Sequence, residues 1–316
     1  LYELIFPYFP YSIKGFIVLK RRDFTIALGG AIGMSTLASL KKLSDALPEN
    51  GMKMPVLFVG HGSPMNAIED NEFSRKWREV ALQIPQPVAV LCISAHWLTR
   101  GSYLTAAAEM KTIHDFGGFP RELFEVQYPA PGFPALAEET SKLVESTNVG
   151  LDHDWGFDHG SWSVVKNMYP EANIPMIQLS IDYYKPGQYH YELAKYLYAL
   201  RKKGVLILGS GNMVHNLRMI SIPPGSDPAL GFNVAYGFDW ALEMNDIFKN
   251  HIADKNHKPL WDYNRLHKDA HLAVPTPDHY WPLLYTLGVQ DEKDEVSFFN
   301  DKAIAGSLTM TSVLMR

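Results

Sequence analysis

The sequence predicts an α/β fold: a single domain with a central, mostly parallel or mixed sheet flanked by helices. Three observations carry this. From Pro55 onward, short apolar runs alternate with stretches of helical periodicity. Several runs are apolar at every position, as in Val56-Leu57-Phe58-Val59 and Val205-Leu206-Ile207-Leu208, which suits strands covered on both faces. Three of the runs also end in small residues followed by a histidine: Gly60-His61-Gly62-Ser63-Pro64, Ser94-Ala95-His96-Trp97 and Gly209-Ser210-Gly211-Asn212-Met213-Val214-His215. In open α/β sheets the carboxyl edge of the strands is where ligands bind.

The first strand stops at His61, because Gly60 and Gly62 flank it and Pro64 cannot donate to a ladder. Asn71 to Leu82 follows as a helix, with Phe73, Trp77, Val80 and Ala81 on one face. Pro87 to Ser94 is a second buried strand and Ser102 to Ala108 a third. Residues 116–134, dense in glycine, proline and aromatics, form a long loop expected to wall a pocket or cover it. Ala135 to Ser146 is a helix. Ser161 is placed to cap the next one, which runs to Tyr169. Ile174 to Ile181 is a buried strand, and Gln188 to Lys203 a helix stopped by Gly204. After the Val205 strand, helices are expected over Gly237–Asn250, Pro259–Ala270 and Asp278–Leu287, with Asp278 capping the last. Two short strands, Glu295–Phe299 and Thr309–Leu314, are placed to add an antiparallel edge.

A chain of 316 residues, 47% hydrophobic and 20% charged, supports a substantial core, and no linker divides residues 54–316. The net charge of -5 leaves no electrostatic footprint for nucleic acid. The single cysteine, Cys92, excludes an intrachain disulfide and sits mid-strand as a small buried hydrophobe. Residues 1–50 read as an N-terminal extension. Lys20-Arg21-Arg22-Asp23-Phe24 precedes an uncharged stretch to Leu40, and Ala46 follows, the order of an export signal. The paired arginines look like a twin-arginine signal, so export to the periplasm by that machinery is the expectation. A membrane anchor, or a helix packed on the domain of a cytoplasmic protein, is the alternative.

Of the 12 histidines, His190, His251, His257 and His267 lie among polar residues and are expected to face solvent. His61, His96, His159, His215 and His279 sit in distinctive contexts, with His114 and His153 as weaker candidates. His279 falls in Val274-Pro275-Thr276-Pro277-Asp278-His279, where two prolines restrict the backbone. Neutral imidazole is the commonest side-chain metal ligand. No HExxH motif and no CxxC pair is present, so any metal must be gathered from separate elements. Three protein ligands would leave positions open for substrate. A further histidine could act as general base, and the aromatics of 116–134 and 155–160 could wall a flat apolar substrate.

Five ordered motifs carry a resemblance: Gly60-His61-Gly62-Ser63-Pro64-Met65, Ser94-Ala95-His96-Trp97, Gly156-Phe157-Asp158-His159-Gly160, Gly209 to Leu217, and Thr276-Pro277-Asp278-His279. Together they resemble the DOPA 4,5-dioxygenase (extradiol) family, within the class III extradiol ring-cleaving dioxygenases of the protocatechuate 4,5-dioxygenase β-subunit type. The resemblance spans about residues 54–316. It implies one non-haem divalent metal per chain, Fe(II) for catalysis or Zn(II) as bound, held by His61, His96 and His279. It implies His215 as the base, or as a fourth ligand where relatives bind zinc, and His159 as a neighbour that positions substrate or oxygen. His279 stands where the wider class has a glutamate. The implied reaction is extradiol cleavage of a catechol by O2. A zinc-dependent hydrolase, or a zinc-binding protein without turnover, is the alternative on the same scaffold.

Overall fold

Three strand ends meet at the centre of the sheet. The structure is a computed structural model that describes residues 53–223, 225 and 231–316. In chain order it runs through β1 (Val56–Gly60), α1 (Glu72–Gln83), β2 (Ala89–Ser94), β3 (Leu98–Thr99) and β4 (Ser102–Thr105). Then come α2 (Arg121–Phe124), α3 (Pro134–Leu143), β5 (Val149–Asp152), α4 (His159–Met168), β6 (Met176–Gln178) and β7 (Ile181–Asp182). The middle of the chain supplies α5 (Gly187–Lys195), α6 (Tyr198–Lys202), β8 (Val205–Gly211) and α7 (Asp239–Ala253). The last part holds α8 (Ala270–Ala273), α9 (Trp281–Gly288), β9 (Val296–Phe299), β10 (Ala303–Ile304), β11 (Leu308–Thr309) and β12 (Ser312–Met315). The twin-arginine pattern lies outside the described residues.

The main sheet has the order β6-β2-β8-β1-β12-β9. Its first four strands are parallel, and β12 and β9 add the expected antiparallel edge. Because β8 inserts between β1 and β2, the carboxyl ends of all three lie side by side, at the kind of crevice where doubly wound sheets bind ligands. The continuous apolar runs follow from burial on both faces. Val56 and Phe58 of β1, with Val205 and Ile207 of β8, enter one core under α5 and α9. Leu57 and Val59, with Leu206 and Leu208, enter the other under α1 and α4. This is the period-two alternation of a strand with two apolar neighbours.

Helix α1 is capped as its sequence allows: the Asn71 side chain accepts from the Phe73 and Ser74 amides, and the Ser74 hydroxyl accepts from the Asn71 amide. Helix α4 departs from expectation. Asp158, not Ser161, is its N-cap and accepts the Ser161 amide, so His159 is the first helical residue. The 174–181 run also splits. After β6 the chain leaves β2: Leu179 still donates to Cys92 O at 2.9 Å, but Ser180 donates to Tyr103 O at 2.8 Å, and β7 pairs with β3. The 188–203 helix tightens between α5 and α6, where Leu197 donates to Ala194 O at 2.8 Å, three residues back. Residues 258–265 form 3-10 turns interrupted at Asp262, whose φ is -128° and ψ 62°, in place of the regular helix expected there. Asp278 caps nothing: Tyr280 is the N-cap of α9 and has no side-chain cap bond. Strand β5 went unread, since Gly150 and Asp152 blur its apolar pattern.

Candidate metal centre

Each of the central histidines is set by a strand end and a close backbone approach. The His61 amide donates to Gly211 O at 3.0 Å, extending the parallel pairing of β1 with β8 by one residue. Likewise Ala95, just before His96, donates to Ser210 O at 3.0 Å. His279 arrives from the loop before α9, and its carbonyl accepts the Asn212 amide at 2.9 Å. A Cβ on Gly211 would lie 2.1 Å from that carbonyl oxygen, so only glycine lets the 277–281 turn press onto β8. His215 is fixed by its amide, which donates to Ala273 O at 2.9 Å.

His61, His96 and His279 come together: they offer nitrogen atoms all within 4.8 Å of one another. Their ring centroids are 5.0–5.2 Å apart. The outward nitrogens reveal the tautomers. His61 Nδ1 lies 3.0 Å from Ser210 Oγ, whose own proton goes to Gly160 O, so the hydroxyl is left as acceptor. His279 Nδ1 lies 2.5 Å from Asp278 Oδ2, and His96 Nδ1 lies 3.3 Å from Asp115 Oδ2. The partners of His61 and His279 favour the proton on Nδ1 and a lone pair on Nε2, and an Nδ1–H on His96 would face the Asp115 carboxylate in the same sense. His61 Nε2 and His96 Nε2 are 3.2 Å apart. Two lone pairs facing at that distance repel unless a cation lies between them, which is the donor set a divalent ion requires. Among the described residues, these three and the group His96, Asp115 and His159 have metal-holding spacing.

The electrostatics favour the neutral form of His61, His96 and His215. Burial, then the charge that His96 would carry, pushes the His61 imidazole well below its ordinary value. Burial and then His159 lower His96. His215 is lowered by burial and then by His279, against which it stacks at 3.6 Å with 4° between planes. Burial pushes the Asp278 carboxyl up, but the imidazole of His279 outweighs it, and the group stays well below the ordinary carboxylate range. Asp115 is raised by burial and lowered further by His159 and His96, with the same net direction.

His215 does not join the group of three; it flanks it through the stack on His279. His159, 5% exposed, lies with its ring 3.9 Å from that of His96. The aromatic wall expected from 116–134 is there in part: Phe116 sets its ring 5.5 Å from His159 and packs on Phe119 and Phe124. The weaker candidates fall away. His114 contacts Val126 O at 2.9 Å, and His153 is exposed. Two histidines expected in solvent are buried. His190 faces inward from α5, with Nδ1 3.0 Å from Tyr285 Oη, and His257 packs beside Tyr191. Polar neighbours along the chain face outward instead: Gln188 beside His190, and Lys255 and Lys258 beside His257, are exposed. Cys92 is buried as expected. The sequence reading missed Asp115 and Ser210 altogether and gave Asp278 the wrong task. A carboxylate immediately before a candidate histidine was the available signal for Asp278.

Imidazoles with carboxylate or hydroxyl partners, gathered at the carboxyl edge of an α/β sheet, are a donor set that could hold a divalent metal. Residues 54–310 match the family described as the catalytic LigB subunit of aromatic ring-opening dioxygenase. The chain is 44% identical over 265 residues to a 4,5-DOPA dioxygenase extradiol from Escherichia coli (strain K12), covering 83% of this chain and 94% of that one. It is 33% identical over 262 residues to the protein of the same name from Beta vulgaris, covering 81% of this chain and 94% of the relative. A crystal structure of an uncharacterized protein from Escherichia coli K12 superimposes with a TM-score of 0.71 at 39% identity, covering 84% of this chain and 100% of that one. The chain belongs to the LigB family of aromatic ring-opening dioxygenases. Its enzymatic class is that of the extradiol ring-cleaving oxidoreductases.

Proposed function

We propose that this chain cleaves DOPA-like catechols with O2, using one non-haem divalent metal held by the Nε2 atoms of His61, His96 and His279. The observation that carries the reading is the convergence of three lone pairs within 4.8 Å, each fixed by a partner on the far side of its ring. The all-nitrogen donor set accepts Zn(II) readily, and we assign Fe(II) as the catalytic ion because dioxygen must be activated. Bound there, iron supplies the redox chemistry of O2 activation.

The protein's own part is proton control and shape. His215 is neutral, and we assign it the role of accepting a catechol hydroxyl proton. His159 is assigned to hold the substrate or oxygen from the side of His96. Phe116 offers an apolar wall beside His159. The ring bond beside the diol breaks, both atoms of O2 enter the product, and a muconic semialdehyde results.

Anaerobic purification with metal analysis, followed by oxygen uptake on L-DOPA and simpler catechols, tests this. One equivalent of iron with uptake matched to semialdehyde formation is expected. Iron-loaded protein that consumes no oxygen with any catechol would overturn it. We also propose export by the twin-arginine route, supported by the 20–46 sequence pattern alone. Cell fractionation of the wild type against an Arg21→Lys, Arg22→Lys variant tests it, with loss of the periplasmic pool expected.

A further inference from the structure

We propose that Asp115 is a positioning residue that clamps His96 and His159 to one another and to the 106–133 loop. The assignment rests on the reading of His61, His96 and His279 as the metal's holders.

Asp115 touches both rings with different oxygens. Oδ2 is 3.3 Å from His96 Nδ1, and Oδ1 is 3.0 Å from His159 Nδ1. Oδ1 also accepts the His159 backbone amide at 2.9 Å. One carboxylate thus holds the outward nitrogen of a metal-facing ring, the ring beside it, and the first turn of α4. His159 Nδ1 is buried and has no aligned hydrogen-bond partner. Asp115 Oδ1 lies 3.0 Å from it while accepting the His159 backbone amide. A buried imidazole nitrogen without a partner is costly, so the carboxylate selects the Nδ1–H form of His159 as it does for His96.

The clamp arises from the loop and not from the sheet. Asp115 lies between His114 and Phe116, and the loop is tied down nearby. Ile113 donates to Phe157 O at 2.7 Å, Phe157 donates to Lys111 O at 2.8 Å, and Trp162 Nε1 donates to Ile113 O at 2.9 Å. Phe116, the next residue, sets its ring against His159. The apolar wall and the tautomer of a metal-facing ring are therefore positioned by adjacent residues of one segment. His96, Asp115 and His159 also have metal-like spacing. The clamp accounts for that spacing without a second ion, because His96 Nε2 is turned to His61 and only its Nδ1 meets Asp115.

Zinc serves as the probe, in the full chain with 15N-labelled histidine. Long-range 1H–15N spectra of the zinc-loaded wild type should show Nδ1–H forms for both His96 and His159. In Asp115→Asn the amide oxygen can accept from one ring N–H, but the NH2 group then presents donors to the other, and the negative charge is lost at both. Both signals should move, zinc affinity by chelator competition should fall about 10–100-fold, and kcat of the iron-loaded enzyme should fall more than KM rises. Asp115→Glu, which keeps the carboxylate, should recover part of each. Asp115 is one-fifth exposed at the side chain, so the variants are expected to fold, and thermal unfolding checks this. Unchanged signals at both rings with zinc affinity within about twofold of wild type in Asp115→Ala would overturn the clamp. So would two zinc equivalents in the wild type, one of them lost on substitution. If the wild type cleaves no catechol, the functional reading fails, while the tautomers and zinc affinity still decide the role of Asp115.

Discussion

Replacing Asp278 tests how far the metal centre depends on the groups behind its rings. Asp278 Oδ2 lies 2.5 Å from His279 Nδ1, a charge-assisted contact. The two side chains are 17% and 9% exposed, so water is poorly placed to substitute. Hydrogen bonds to a charged group contribute about 1.5–3 kcal/mol, and partners behind metal ligands are worth about 10–100-fold in affinity. The two ranges agree, since tenfold corresponds to about 1.4 kcal/mol. With solvent largely excluded, Asp278→Ala should lie near the upper end, with zinc affinity down about 100-fold. Asp278→Asn keeps an acceptor but not the charge and should lie nearer tenfold. A second effect separates this contact from simple packing. The Asp278 charge also raises the proton affinity of His215, against the lowering by burial and by His279. Removing it makes His215 a weaker base, so kcat at saturating metal should fall in both variants. The assays are chelator competition and oxygen uptake with metal in excess. Wild-type zinc affinity in a folded Asp278→Ala variant would refute the reasoning.

His61→Ala and His96→Ala should abolish metal retention in elemental analysis. His215→Ala should lose activity and keep most of the metal, because it flanks the group of three, and equal metal loss would make it a ligand. Gly160→Ala would put a Cβ 2.5 Å from Ser94 Oγ and 2.7 Å from His96 Cδ2. That overlap should cost about 1–3 kcal/mol in chemical denaturation, with weaker metal binding because His96 must move. Far from the site, the fully buried Arg201 donates to both oxygens of Asp294 and to the carbonyls of Met54 and Val289. Asp294→Asn should lower stability at neutral pH by about 3–5 kcal/mol. Burial raises the Asp294 carboxyl, but Arg201 and Lys53 outweigh it and the folded group titrates below its ordinary value. Its stabilisation is present above the unfolded value near 3.9 and is lost as pH falls through the folded value. The difference between wild type and variant should therefore shrink in acid denaturation below about pH 4.

The site was legible in the sequence where local chemistry and backbone geometry coincide. His61, His96 and His279 stand out because glycine, serine or proline lies within two residues of each one, where the strands end or the turns press together. His159 was legible for the same reason, although its helix starts earlier than the Ser161 cap suggested; an aspartate and a serine three residues apart both have capping chemistry, and burial against Gln178 decided for Asp158. Asp115 was not legible. Its task depends on the fold of the 28-residue connection from β4 to α3 (106–133), interrupted by the one-turn helix α2, and no periodicity places a loop carboxylate against two rings from other elements. His190 and His257 show the reverse failure: hydrophilic neighbours along the chain say little about which face of a short helix turns inward. The split of the 174–181 run had a similar cause, since the exchange of partners from β2 to β3 is a tertiary event.

Strand β12 is an interior strand of the main sheet, between β1 and β9, and its Met315 pairs with Val56. During synthesis β1 emerges long before that partner exists. Until residues 312–315 arrive, one side of Val56–Phe58 offers bare amides and carbonyls on an apolar ribbon, to a chaperone or to another nascent chain. Deleting residues 312–315 should therefore show first as aggregation during expression, and only afterwards as altered chemistry in whatever protein survives.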